Sequence, residues 1–149
     1  MALKWLKDQL NSIQGTLKGE MTRFKNATLL EGIVAGCAAV AYADGVASPE
    51  EKQKMMGFIH QSEALSVYDT NKVIELFNKY MGKYEFDTMI GKAEAMQAIG
   101  RVKKPEEARL LVRVCCMIGA ADGNFDDNER ALVTDICREL ELNPKDFDL

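Results

Sequence analysis

Two stretches of this chain match each other across an offset of 78 residues. Ala43-Asp44-Gly45 returns as Ala121-Asp122-Gly123, and Glu51-Lys52 returns as Glu129-Arg130. At the same offset Cys37 falls on Cys115, Val40 on Ile118 and Phe58 on Ile136. A duplication constrains topology more than any single motif, because both copies must adopt one local fold. Each copy reads as an apolar run, a short acidic turn and a second apolar run. The pattern predicts two helical hairpins related by a pseudo-two-fold axis. Gly32, Gly36 and Gly119 are small residues in the first helices of the two hairpins, so those helices are expected to pack closely at the centre.

The rest of the chain has the same periodicity. Leu3, Leu6, Leu10, Ile13 and Leu17 step by three and four, the spacing of one helix face. A polar stretch, Lys18 to Ala27, follows. Further helices are expected over Ala27–Ala43, Ser48–Glu63, Tyr68–Met81, Phe86–Ile99, Lys104–Ala121 and Asp127–Glu141. Phe86, Met89, Ile90, Ala93, Met96 and Ile99 are read as the apolar face of the fifth. No long alternating run suggests a strand, and only three prolines interrupt the chain. The expected fold is all-α, a compact bundle of about seven helices. Residues 1–18 are expected as an amphipathic helix and 19–149 as one helical domain.

Composition excludes several functions. A net charge of −4 argues against general nucleic-acid binding, which requires a basic face. The longest uncharged apolar stretch, Gly32 to Ala43, is too short to span a bilayer. No secretory h-region or cleavage site is visible at the amino terminus, so a cytoplasmic location is expected. Cys37, Cys115, Cys116 and Cys137 form no C-x-x-C pair, and His60 is the one histidine. A His/Cys zinc site is not expected, and the cysteines read as buried thiols in apolar helices. Paired carboxylates could serve a hydrolase, but no nucleophile motif accompanies them and no catalytic residue is assigned.

The acidic turns carry the functional signal. Ser48-x-x-Glu51 and Asp126-x-x-Glu129 are capping boxes, and Gly45 and Gly123 suit a left-handed position after a helix. Capping leaves Asp44 and Asp122 unaccounted for, since both are expected in the last helical turn. There the macrodipole disfavours an acid by roughly 0.3–1 kcal/mol. A divalent cation would offset them, with Glu51, Asp126 and Glu129 as further oxygen donors. An oxygen-only set selects a hard ion, Ca²⁺ or Mg²⁺. The spacing is not that of an EF-hand, which requires glycine at position six and glutamate at twelve.

On Gly36, Ala43-Asp44-Gly45 and Glu51, then Gly119, Ala121-Asp122-Gly123 and Glu129, the chain resembles the TerB family of tellurite-resistance proteins. The resemblance spans nearly everything beyond the N-terminal helix. It implies a non-enzymatic, cytoplasmic helical protein of bacterial tellurite-resistance systems, with a metal site on those acids. It also implies work beside TerC, a membrane protein, and TerD, a calcium-binding protein.

Two further readings follow from the residues. Cys115-Cys116 and eight methionines suggest a metalloid-binding or redox protein, although adjacent helical side chains diverge by about 100° and share no face. The N-terminal helix joins its leucine stripe to Trp5, Lys4 and Lys7. Residues 1–25 carry a balance of +3 and the remainder −7. Leu3, Lys4, Trp5, Leu6, Lys7 and Leu10 therefore make a candidate surface for an anionic membrane or a partner, with peripheral attachment at the inner membrane. The alternative is that this helix packs on the domain.

Overall fold

Asn26 starts the helix around which the others assemble. Its side chain accepts the Leu29 N–H at 2.8 Å, and its Nδ2 donates to Glu107 at 3.1 Å. A computed structural model describes residues 10–121 and 125–149 of the chain, with side chains from Thr16 onward. Among them are seven α-helices: α1 (Leu10–Arg23), α2 (Ala27–Ala41), α3 (Pro49–Gln61), α4 (Thr70–Phe86), α5 (Thr88–Gly100), α6 (Pro105–Gly119) and α7 (Asp127–Glu139). Short 3₁₀ turns occur at Leu65–Val67 and Pro144–Phe147, and no strand occurs among the described residues. The all-α, seven-helix expectation holds.

The duplication is visible in the packing. α2–α3 and α6–α7 are the two hairpins, and α2 packs directly along α6. Across the junction α7 packs on α2 while α3 packs on α6, so each hairpin makes the same contacts with the other. The equivalent residues Cys37 and Cys115 meet at the axis through a thiol hydrogen bond, and small residues flank them. A Cβ added at Gly36 would lie 2.5 Å from Cys115 Sγ, and one at Gly119 would lie 3.1 Å from Val40 Cγ1. The glycines therefore permit the helix approach that the repeat demands. α4 and α5 cover the remaining face of α2, and α1 lies against α6 and the first 3₁₀ turn.

The core runs through all seven helices. Leu29, Ile33, Val34, Phe77, Ile99, Leu110, Leu111 and Ile136 are fully buried within it. α1 is continuous past Leu17 to Arg23, and Leu17 and Met21 are also fully buried. The polar letters after Leu17 therefore belong to the helix rather than to a linker. Leu3, Lys4, Trp5, Leu6 and Lys7 lie outside the described residues. Leu10 opens α1.

The boundary between α4 and α5 departs from the sequence reading. α4 continues beyond Met81 to Phe86, and a single residue, Asp87, separates it from α5. Asp87 is extended (φ −163°, ψ 124°) and its carboxylate accepts the Ile90 N–H at 3.0 Å. The chain turns a sharp corner there. Phe86, Met89 and Ile90, expected to line an apolar face, are instead 82 %, 83 % and 43 % exposed. Among the described residues no helix covers the first turn of α5 on that side. Of that stripe only Ile99 is buried, while Met96 is half-buried and Ala93 exposed; the face that α5 buries is Gly91, Ala95, Ala98 and Ile99.

Candidate cation-binding site

The first acidic turn begins where α2 stops. Tyr42 caps the helix, and its ring stacks on Tyr84 with centroids 4.7 Å apart. The Gly45 N–H donates to the Tyr42 carbonyl at 2.8 Å, and Gly45 takes φ +96°. The left-handed glycine is thus present, though three residues past the cap rather than immediately after it. Asp44 also lies beyond the helix, not in its last turn. Its Oδ1 accepts the Val46 N–H at 3.2 Å, an aspartate turn that gives the residue a local structural role. The expectation that Asp44 lies in the last helical turn does not hold.

The start of α3 is the predicted capping box. Ser48 Oγ accepts the Glu51 N–H at 3.1 Å, and Glu51 Oε1 accepts the Ser48 N–H at 2.9 Å. Pro49 occupies the first helical turn. The second copy repeats the arrangement: Asp126 Oδ1 accepts the Glu129 N–H at 2.8 Å, and Glu129 Oε1 accepts the Asp126 N–H at 3.0 Å. Asp122 lies outside the described residues.

Carboxylates from the two turns line one open cleft of about 210 Å³. Asp44 and Glu51 enter it from the first copy, Asp126 and Glu129 from the second. The symmetric hairpin packing brings them there. Four of the five predicted acids thus share a cleft, each with one oxygen engaged in capping or turn formation. A carboxylate oxygen has further acceptor capacity, so capping and ligation are compatible. They do not close into a coordination sphere: among the described residues no three of His, Cys, Asp and Glu are grouped tightly enough to hold a metal ion.

Lys54 lines the same cleft and escaped the sequence reading. Its signal was its position three residues after Glu51, on the same face of α3. The floor is apolar, formed by Val40, Met55, Phe58 and Ile118. Beside the cleft, Lys52 forms an ion pair with Glu85, tying the first turn of α3 to the end of α4. Val46, in the turn itself, is 67 % exposed. A second, more apolar cleft of about 550 Å³ lies near Lys25, Leu30, Tyr68 and Leu76 and contains none of the predicted residues.

The thiols have a different setting. All four cysteines are buried and free. Cys115 is pushed up by a hydrogen bond with Cys37 and by burial, and Cys116 by burial, both well above the ordinary thiol range. Burial pushes Cys137 up to about 12. A reactive cysteine needs thiolate character and access, and these sites oppose both. His60 is exposed in the last turn of α3. No helix among the described residues is long and apolar enough to cross a membrane.

Comparison with known proteins gives a consistent result. The family model described as Tellurite resistance protein TerB matches residues 30–149. Tellurium resistance protein TerB of Alcaligenes sp is 46 % identical over 110 residues, covering 73 % of this chain and 90 % of that protein. No solved structure matches the chain.

Proposed function

The chain belongs to the TerB family of tellurite resistance proteins, and from that premise we propose that it is a non-enzymatic component of a bacterial tellurite-resistance system that takes up a divalent cation between its two acidic turns. The observation that carries the reading is the convergence of Asp44, Glu51, Asp126 and Glu129 on one cleft. Oxygen donors alone favour Ca²⁺ or Mg²⁺. The ion draws the two turns together and couples the hairpins. The protein then acts as an interaction module at the cytoplasmic face of the inner membrane. The family resemblance supplies its partners there, a TerC-like membrane protein and a TerD-like calcium-binding protein. The thiol alternative finds no support in four buried cysteines, three of them with raised pKa.

Calorimetric titration of Ca²⁺ and Mg²⁺ tests the cation. Asp44→Asn, Glu51→Gln, Asp126→Asn and Glu129→Gln each remove a charge and keep a side chain able to cap or turn. The combined variant should stay folded and lose cation binding. Unchanged binding heats in that variant refute the assignment.

A further inference from the structure

The cleft between the starts of α2 and α4 holds none of the acids that carry the cation reading, and it has the make-up of a small-molecule site. Its volume of about 550 Å³ falls within the range of such sites. Leu30, Leu76 and Tyr68 form its walls, and the exposed Ala27 stands at its edge. The three wall residues are more than nine-tenths buried, so each shows the cleft one edge of its side chain. That leaves apolar contact for one ring or a short chain, and not for a long acyl chain.

The charged groups at this cleft differ in what they already bind. Glu31 lines it, but its Oε2 accepts the Tyr80 O–H at 2.5 Å and the Lys79 ammonium at 3.1 Å. Asp69 Oδ1 accepts the Asn71 N–H at 3.1 Å and caps α4. Both acids are thus committed to the fold. The two lysines are held more loosely. The Lys25 ammonium lies 5.9 Å from the centre of the Tyr68 ring. Lys72 pairs with Glu75 at 3.5 Å, with both side chains more than half exposed, a contact that holds it weakly. α2 and α4 both begin here, so the positive ends of two helix macrodipoles add to the two ammoniums.

We propose that this cleft binds a small organic anion, an aromatic or short-chain carboxylate, with its charge on Lys25 and Lys72 and its apolar part against Leu30, Leu76 and Tyr68. Lysine carries its ammonium on a flexible four-carbon stem, so both can turn towards the anion. The site lies where α2 starts, whereas the acidic cleft opens where α2 stops, about 20 Å away at 1.5 Å per residue. It stands independently of the cation reading.

Anilinonaphthalene sulfonate, an aromatic anion whose emission rises in apolar surroundings, is the probe. The full chain should bind it saturably, one molecule per chain. Octanoate should displace it, and octanol, which lacks the charge, should be about tenfold weaker. Lys25→Gln with Lys72→Gln should weaken the probe and octanoate about tenfold, as two exposed charge contacts are lost. Ala27→Phe sets a ring at the edge of the cleft and should weaken both at least about tenfold. Helical circular dichroism should stay unchanged in both variants. In an octanoate titration followed by NMR, the backbone amides of residues 26–30 and 69–72 should shift while those of residues 44–51 stay still. Probe binding that never saturates, or that neither variant weakens, overturns the site. Amide shifts at the exposed Phe86, Met89 and Ile90 in place of residues 26–30 overturn it too. Octanol as effective as octanoate overturns the anion. Phosphatidylglycerol vesicles that bind the wild type and not Ala27→Phe overturn the free acid in favour of a membrane lipid.

Discussion

Gly36→Ala probes the junction on which the duplicated fold depends. Alanine is the better helix former by about 1 kcal/mol in an exposed helix interior. At Gly36 the new Cβ would lie 2.5 Å from Cys115 Sγ, with Ile99 and Ile136 at 3.9 Å. Cys115 is fully buried and its thiol reaches the Ile33 carbonyl at 3.8 Å, so the sulfur has no open space to enter. Overpacking of this kind costs about 1–3 kcal/mol, which outweighs the propensity gain. The net expectation is destabilisation of about 1–2 kcal/mol, or a fall of about 2–8 °C in Tm for a chain of this size. Gly82→Ala is the control. Gly82 lies inside α4 with nothing within 4 Å of its added Cβ, so alanine there should stabilise by about 0.5–1 kcal/mol. Urea unfolding followed by circular dichroism at constant m-value measures both. A second mutation, Cys115→Ala, removes the clashing atom and should recover part of the loss in a double-mutant cycle. Gly36→Ala equal to or more stable than the wild type would refute the close approach of α2 and α6.

Further outcomes follow from the burial pattern. Leu17→Ala should cost about 2–4 kcal/mol, because Leu17 is fully buried. Phe86→Ser and Met89→Gln should change stability by less than about 0.5 kcal/mol, since both side chains are more than 80 % exposed. A thiol reagent at pH 8 should leave the native cysteines unmodified and react with all four once urea unfolds the chain, as counted by absorbance. Cys115, Cys116 and Cys137 hold their protons more tightly folded than unfolded, so the unfolded state loses protons first as pH rises. Their contribution is intact below an unfolded thiol pKa of about 8.5 and is lost above it, through about 12 for Cys137. Unfolding free energy measured against pH should therefore fall above about pH 9.

Helix count, hairpin pairing and caps were legible because each depends on residues close in sequence. Ser48 with Glu51 and Asp126 with Glu129 specify helix starts through a four-residue box, and both form as written. Cys37 and Cys115 could be placed at one junction because the duplication itself supplies a long-range constraint. What failed depends on what lies opposite a residue. Phe86, Met89 and Ile90 have helical spacing, but spacing does not say whether another helix covers the face. The fourth helix was expected to end at Met81, yet α4 runs on to Phe86, where Tyr84 stacks on Tyr42 and packs against Gly91. Asp44 looked anomalous only on the premise that α2 reached it. The helix stops at Ala41, and the aspartate turns the backbone instead. Lys54 stands three residues from Glu51 on one face of α3, but that spacing is common on solvated helix faces and does not by itself mark a cleft.

Residue-resolved NMR during a Ca²⁺ titration shows whether the two acidic turns form one cation site. The backbone amides of Asp44–Glu51 and Asp126–Glu129 should shift together, along one binding curve with one midpoint. The combined amide variant should abolish both sets of shifts. Two curves with separate midpoints would contradict a shared site, and amides that stay still at saturating Ca²⁺ and Mg²⁺ would contradict a cation site of any kind.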